Sequence, residues 1–220
     1  TGGRGDFLSL WQKNIPEWVK RDRNHPCVVL WSLGNELQHH ADMPFNDWGV
    51  TLYRLMRQLL HRYDHTRLTT VAMHPRYRNI DTDSLPADLA VATEVNSYNY
   101  RYMYFPGDMK RYPEKIFYQS EASTEAMGPN FFEMELDKVM GLAYWGAVDY
   151  LGESLGWPLK GWNKGVFDMT MLPKPDAYFV KSMFSDEPLV HIAIIEKAGT
   201  DTQWNGINVA TQRLSENWTR

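Results

Sequence analysis

Apolar positions in this chain follow two alternating patterns, one with helical spacing and one of short continuous runs. The helical spacing predicts helices over residues 7–23, 45–63, 131–140 and 175–184. Pro16 predicts a break within the first of them. The continuous runs predict buried strands over residues 27–33, 67–73, 89–95, 115–119 and 142–148. Strands and helices that alternate in this way are typical of a parallel sheet covered by helices, so we predict an α/β fold.

Two α/β folds fit five strands of this kind. One is a doubly wound open sheet and the other is a (β/α)8 barrel, and the periodicity does not separate them. The pattern changes after Pro188, where a strand over 189–195 has no following helix and the tail reads as strands and loops. We therefore predict a first domain over residues 1–187 and the start of a β-sandwich over residues 188–220.

The chain is weakly acidic and rich in aromatic residues. Its 220 residues carry a formal net charge of −4 without a basic run, which argues against a nucleic-acid partner. No segment approaches the roughly 20 apolar residues of a membrane helix, so we expect no membrane partner. The single cysteine, Cys27, excludes a disulfide framework and is expected to lie buried in the first strand. The aromatic content of 14% slightly favours sugar binding.

Carboxylates end two of the predicted strands. Glu36 follows the run from Leu30 to Asn35, and Glu121 follows the run from Ile116 to Ser120. Carboxyl-terminal strand ends form the active-site floor of a parallel barrel. Cleavage of a glycosidic bond needs two carboxyl groups, one that protonates the leaving oxygen and one that attacks the sugar or activates water. The alternative is that Glu36 caps the next helix or pairs with a surface arginine.

One long segment resembles a known family. Residues 21–26 (RDRNHP) followed by residues 28–36 (VVLWSLGNE) resemble the acid/base signature of glycoside hydrolase family 2, which includes β-galactosidases, β-glucuronidases and β-mannosidases. Later segments are also similar to this family: residues 96–100, 120–121, 144–145, 165–178 and 187–193. The resemblance implies the C-terminal portion, about strands 4–8, of a TIM (β/α)8 barrel, followed by the start of an immunoglobulin-like β-sandwich. It also implies upstream domains of the same polypeptide as partners.

The resemblance implies a role for each site residue. Glu36 would be the general acid/base and Glu121 the nucleophile of a retaining exo-β-glycosidase that works by double displacement. Asn35 would hydrogen-bond the sugar 2-hydroxyl, Tyr98 would hold the carboxylate of Glu121, and Trp145 would form an aromatic wall beside the sugar. Glu125 lies past the strand end and fits the nucleophile less well, although residues 122–124 lack the aromatic residue that often follows the family nucleophile.

The identity of the sugar depends on two segments. Asn163 and Lys164 resemble the Asn-x-Lys pair with which family glucuronidases bind a uronate carboxylate, but here they are adjacent, and a solvated loop lysine is the alternative. Residues 149–153 resemble the β-galactosidase branch. We therefore expect hydrolysis of terminal β-galactosides from oligo- or polysaccharides. The alternatives are a β-glucuronidase or β-mannosidase of the same family, or an inactive carbohydrate-binding fragment.

We expect no cofactor and no metal held by this chain, although the resemblance makes a divalent cation possible in the full-length enzyme. His39 and His40 follow Glu36, but they fit solvent-facing loop residues better than metal ligands. His74, which follows the second strand, fits either the cleft or a structural loop. The sequence leaves the oligomeric state open, and a periplasmic or secreted location is slightly favoured over the cytoplasm.

Overall fold

The protein forms two compact units. The structure, a computed structural model, describes residues 7–37, 45, 47, 49–74, 88–123, 136–154, 157, 160–196, 203–204, 207–208 and 213–215. The first unit comprises residues 1–122 and 133–144, and the second comprises residues 123–132 and 145–220. Among the described residues, no helix is both long enough and apolar enough to cross a membrane.

A parallel sheet of five strands forms the centre of the first unit. The strands are β1 (Trp31–Asn35), β2 (Thr69–Met73), β3 (Val95–Asn99), β4 (Ile116–Ala122) and β5 (Val139–Tyr144). Their spatial order is β1-β2-β3-β4-β5, and every neighbouring pair is parallel. A doubly wound sheet reverses its strand order at a switch point, whereas consecutive barrel strands add on one side only. The predicted α/β class is confirmed, and the strand order selects the barrel.

Helices cover one face of this sheet. They are α1 (Phe7–Asp22), α2 (Val50–Leu60), α3 (Asp88–Ala92) and α4 (Phe105–Arg111), with 3-10 turns at Tyr102–Tyr104 and Leu136–Lys138. Helix α2 buries a stripe at helical spacing that consists of Leu52, Tyr53, Met56 and Leu60. The predicted break at Pro16 is wrong, because α1 is one continuous helix. Ile15 and Val19 flank the proline and are both buried, so their packing offsets the lost backbone hydrogen bond.

Three other sequence predictions need correction. The apolar run over 89–95 is mostly helix α3, and the strand starts at Val95, because a short apolar run fits a buried helix as well as a strand. Cys27 is exposed, since β1 begins only at Trp31. Where the predicted helix over 131–140 is described, it is a 3-10 turn followed by the start of β5. The strand predicted over residues 142–148 is therefore observed earlier in the chain, as β5 over Val139–Tyr144.

The strands of the sheet present different residues to its two faces. Thr69 bonds Tyr53 of helix α2 at 2.8 Å, and Tyr98 packs against Phe105 of helix α4, so these strand residues face the helices. Thr70 and Ser97 alternate with them, and their hydroxyl oxygens lie 2.7 Å apart. We call the face that carries Thr70, Ser97 and Asn99 the inner face of the sheet.

The second unit contains short antiparallel pairs and one helix. Strands β6 (Tyr150–Leu151) and β7 (Gly161–Trp162) pair with each other, and helix α5 (Pro175–Phe184) has the predicted bounds. Strand β8 (Ile194–Glu196) pairs with β11 (Arg213–Ser215), and β9 (Gln203–Trp204) pairs with β10 (Ile207–Asn208). The strand predicted over 189–195 thus begins only at Ile194. The domain boundary after residue 187 and the immunoglobulin-like character of the tail stay predictions.

Candidate active site at the strand ends

Asn35 and Glu36 lie at the carboxyl end of β1. Asn35 is the last residue of the strand, and the backbone N–H of Glu36 still donates to the carbonyl of Ala72 at 2.7 Å. Glu36 has φ +49°, in the left-handed region that costs a non-glycine residue about 1–3 kcal/mol. Tyr100 has φ +58° directly after β3. Two strained residues at the same end of one sheet are typical of a functional site.

A one-residue bulge precedes each candidate carboxylate. On β1, three steps from Ser32 to Asn35 oppose two steps on β2, and on β4 the three steps from Tyr118 to Glu121 oppose two steps on β3. A bulge changes the direction of the residues that follow it. Both carboxylate-bearing strands therefore reach the active-site end of the sheet with the same departure from regular pairing.

Asn99 links the carboxyl ends of β1 and β4 through hydrogen bonds. This last residue of β3 is fully buried (0% exposed) on the inner face. Its Nδ2 donates to Oδ1 of Asn35 at 3.0 Å and to Oε1 of Glu36 at 3.2 Å. Its Oδ1 accepts a hydrogen bond from the hydroxyl of Ser120 at 2.7 Å. The polar side chains of β1 and β4 therefore meet on a single residue of β3.

Glu121 is held by its backbone at the same level. Its Cα is the register partner of Asn99. Its carbonyl accepts hydrogen bonds from the backbone N–H of Tyr100 at 2.7 Å and from Nε2 of Gln119 at 2.9 Å. Glu36 thus follows β1 and Glu121 lies on β4, and both contact Asn99. Glu36 does so through a side-chain hydrogen bond and Glu121 through strand pairing.

Tyr98 lies on the opposite face from the one its predicted role requires. Its hydroxyl donates to Asp108 of helix α4 at 2.6 Å, and its ring packs between Phe105 and Phe117. A tyrosine has one O–H to donate, and here it goes to the helix side of the sheet. The predicted donation from Tyr98 to Glu121 is therefore wrong. The reason is strand parity, because the adjacent Asn99 is the residue on the inner face.

The remaining predicted site residues belong to the second unit. Trp145 follows β5 directly and is exposed, as are Asn163 and Lys164. The loop that carries the latter pair is braced by Asp149, which accepts a hydrogen bond from the backbone N–H of Gly165 at 2.7 Å. Lys174 forms an ion pair with Asp149 at 3.1 Å, and its Nζ donates to the carbonyl of Asn163 at 2.7 Å. The sugar contacts expected of Trp145, Asn163 and Lys164 stay predictions.

His74 lies at the end of β2 and is buried. Its ring meets the ring of Tyr100 edge-on, with 6.2 Å between the centroids, so it packs at the cleft end of the sheet. His39 and His40 lie outside the described residues. Within the described part of the chain, no three His, Cys, Asp or Glu side chains come together to hold a metal ion.

The sequence prediction did not single out Asn99 or Ser120. The signal was a polar pattern inside a buried strand: Asn96, Ser97 and Asn99 occupy three of the five positions of β3, all of them buried. Buried polar side chains are rare unless they are hydrogen-bonded. A buried strand with three of them indicates a polar network, but the hydrogen-bond partners cannot be read from the sequence.

Known proteins resemble this chain over most of its length. The family model for the TIM barrel domain of glycosyl hydrolases family 2 matches residues 4–128, more than half of the chain. The beta-galactosidase BoGH2A of Bacteroides ovatus is 20% identical over 261 residues, which cover 84% of this chain and 30% of that protein. A putative beta-glucuronidase of Formosa agariphila is 49% identical over 41 residues, which cover 19% of this chain and 4% of that protein.

A solved structure extends the similarity to nearly the whole chain. The crystal structure of a glycosyl hydrolase family 2 member from Bacteroides cellulosilyticus is similar at a TM-score of 0.72 and 26% identity. The match covers 99% of this chain and 26% of that chain. This chain therefore spans less than a third of the length of these relatives. The family model and the consecutive order of the parallel strands show that the chain belongs to glycosyl hydrolase family 2, as part of its TIM barrel domain.

Proposed function

We propose that the intact protein containing this chain is a retaining exo-β-glycosidase, with Glu36 as general acid/base and Glu121 as nucleophile. The observation that carries the proposal is the meeting of Asn35, Glu36 and Ser120 on Asn99, which is itself paired with Glu121. Family membership supports the glycosidase class. The two carboxyl groups of a retaining enzyme should lie about 5–5.5 Å apart.

The mechanism has two displacements. In the first, Glu36 gives its proton to the glycosidic oxygen while a carboxylate oxygen of Glu121 bonds to the anomeric carbon, so that the leaving group departs as an alcohol. In the second, Glu36 takes a proton from water, whose oxygen bonds to the anomeric carbon and displaces Glu121. Asn35 donates to the sugar 2-hydroxyl, an interaction that strengthens in the transition state.

Azide separates the two carboxylate roles. We expect Glu121→Ala to lose about 10³-fold or more in kcat and to form an α-glycosyl azide when azide is added, because azide replaces the nucleophile on the opposite face. Glu36→Ala should spare activated aryl glycosides relative to alkyl glycosides and form a β-glycosyl azide. Glu114→Gln, which changes an exposed carboxylate just before β4, is the matched control. Activity of Glu121→Ala equal to that control would refute the proposal.

We propose a terminal β-galactoside as the substrate. The support is the similarity of residues 149–153 to the β-galactosidase branch, together with the name of the Bacteroides ovatus relative. A β-glucuronide is the second candidate, because Lys164 and Asn163 form an exposed cation–amide pair on a braced loop. A β-mannoside is a third substrate of the same family.

The test compares kcat/KM for the nitrophenyl β-galactoside, β-glucuronide and β-mannoside, in the intact protein and in Lys164→Met. A galactosidase should prefer the first substrate and tolerate Lys164→Met. A preference for the glucuronide that Lys164→Met reduces at least tenfold would transfer the assignment to the second candidate. Sugar binding without turnover of any substrate would instead indicate a non-catalytic carbohydrate-binding protein.

A further inference from the structure

We propose that Asn99 is a positioning residue that sets the orientation of both Asn35 and Glu36. The proposal rests on the function proposed above and extends it to a residue outside the acid/base and nucleophile pair. Asn99 is fully buried and makes three side-chain hydrogen bonds, to β1, to the residue after β1, and to β4. Strand pairing alone needs none of them, because a β-strand pairs through its backbone.

The partners of Asn99 fix which way its amide points. Oε1 of Glu36 accepts the bond from Nδ2 of Asn99, and the carbonyl oxygen of a protonated carboxyl group accepts in the same way, so the side of the amide that faces Glu36 is the Nδ2 donor. The other side faces Ser120, whose hydroxyl can rotate to donate to Oδ1. A flipped amide would place two acceptor oxygens against each other at Glu36. The hydrogen-bonding pattern therefore admits one orientation.

This orientation determines the orientation of Asn35 in turn. Oδ1 of Asn35 accepts the bond from Asn99, so this oxygen lies on the protein side of the planar amide. Nδ2 of Asn35 is then on the other side, with its N–H groups directed away from Asn99. Asn35 is exposed, so this end of the amide is open to a ligand. The arrangement presents Asn35 to a sugar as a donor rather than as an acceptor.

The same donor restrains Glu36. The bond to Oε1 holds one corner of the carboxyl group and so limits its rotation about the last side-chain torsion. Proton transfer requires the carboxyl group of Glu36 to lie within hydrogen-bond reach of the glycosidic oxygen. If Glu36 loses this restraint, the rate of glycoside cleavage should fall even though Glu36 still carries its proton. One buried amide therefore aligns the donor for the 2-hydroxyl and the acid for the leaving group.

Two substrate comparisons test this role in the intact protein. Removal of the sugar 2-hydroxyl should cost the wild type a large factor in kcat/KM, and this factor should shrink about tenfold in Asn99→Ala and in Asn35→Ala. The double variant should show no further reduction, because both changes act on one interaction. Asn99→Ala should also slow an alkyl glycoside more than a dinitrophenyl glycoside, since only the former depends on the proton from Glu36.

Ser97→Ala is the matched control. Ser97 lies two residues earlier on the same strand and the same face, is equally buried, and bonds Thr70 rather than the site. It should leave both comparisons unchanged even if it lowers stability. Ser120→Ala should shift both comparisons in the direction of Asn99→Ala and by less, because it removes only the acceptor-side partner of the amide.

The possible outcomes separate the two proposals. In one outcome, Glu36→Ala loses activity selectively on alkyl glycosides while removal of the sugar 2-hydroxyl still lowers kcat/KM of Asn99→Ala by the full wild-type factor. In that case the positioning role is refuted and the proposed function stands. If Glu36→Ala and Glu121→Ala behave as Glu114→Gln does, the proposed function fails and the positioning role fails with it. Equal effects of Ser97→Ala and Asn99→Ala on both comparisons would mean a structural role only, which also refutes positioning.

Discussion

The carboxylate of Asp64 should be the strongest polar contributor to the stability of the barrel unit. It is 5% exposed in the turn after α2 and accepts four hydrogen bonds. The donors are Nε1 of Trp31 at 2.9 Å, the backbone N–H and hydroxyl of Thr66 at 2.9 and 2.6 Å, and the guanidinium of Arg67 at 2.6 Å. Trp31 begins β1, the strand whose far end carries Asn35, so this cluster anchors the site-bearing strand.

The size of the effect follows from what each substitution leaves behind. Asp64→Ala leaves the buried Trp31 N–H and the partly buried Arg67 without their acceptor, and breaking a buried ion pair on one side costs about 3–5 kcal/mol. Asp64→Asn keeps an acceptor oxygen but loses the charge, for about 2 kcal/mol. Trp31→Phe does not isolate the hydrogen bond, because Trp31 is 1% exposed and the smaller ring would also leave a cavity in the core. The expected order of destabilisation is therefore Asp64→Ala, then Asp64→Asn.

The dependence on pH gives an independent check. Burial alone would raise the pKa of Asp64, but the hydrogen bonds from Thr66, Trp31 and Arg67 outweigh it and hold the pKa well below its usual range. A carboxyl whose pKa is lowered in the folded state adds stability above its unfolded pKa of about 3.9 and loses it as the pH falls below that value. The difference between wild type and Asp64→Asn should therefore be full at pH 7 and should narrow below about pH 4.

Urea unfolding of the intact protein, followed by circular dichroism, measures these free energies. Asp137→Asn, a change at an exposed aspartate before β5, serves as the control and should stay within about 0.5 kcal/mol of wild type. Wild-type stability of Asp64→Asn at pH 7, or a constant difference down to pH 3, would show that the four donors do not favour the ionised carboxylate.

Two further predictions concern other parts of the fold. Burial alone would raise the pKa of Glu94, but hydrogen bonds from Arg57 and from the first residue of β2 lower it to about 2. The Glu94 side chain is 24% exposed, so we expect Glu94→Gln to lower the free energy of urea unfolding by about 2 kcal/mol. This loss should fade as the pH falls from about 4.5 towards 2. A stability difference between Glu94→Gln and wild type that grows in acid would contradict the prediction. Gly165→Ala would place a Cβ 2.6 Å from the backbone nitrogen of Asp149, whereas Gly152 has φ +113° and open space around it. Hydrogen exchange of the second unit should therefore show a loss of about 2–3 kcal/mol for Gly165→Ala and about 1 kcal/mol for Gly152→Ala, and the reverse order would refute the assigned contacts.

The sequence predicted that Glu36 and Glu121 lie at strand ends, because strand ends are marked by a change in residue type. An apolar run that stops at a carboxylate locates Glu36 and Glu121 at the correct end of β1 and β4 without any knowledge of packing. The same signal failed for β3, because the apolar run of residues 89–92 belongs to helix α3 and the strand begins only at Val95. A short apolar run fits a buried helix and a buried strand equally well, and the packing that decides between them is a property of the whole fold.

The faces of the strands were harder to predict than their positions. Side chains alternate along a strand, so an error of one residue exchanges the two faces completely. Tyr98 was expected beside Glu121 and instead bonds Asp108 behind the sheet, while Asn99 occupies the inner face. The bulges on β1 and β4 shift this alternation again, just before each carboxylate. A bulge depends on how two strands pair, so neither strand reveals it alone.

The inner face of β3 shows that the sheet is not arranged for stability alone. On that face Ser97 and Asn99 are buried polar residues, whereas Tyr98 on the other face packs against Phe105. Burying a polar side chain costs about 1–3 kcal/mol unless hydrogen bonds compensate it, and the side-chain hydrogen bonds of Asn99 go to Asn35, Glu36 and Ser120. Apolar residues of similar size would avoid that cost, yet they could not orient Asn35 or restrain Glu36. The stability given up at this end of the sheet is therefore best explained by the polar site that it supports.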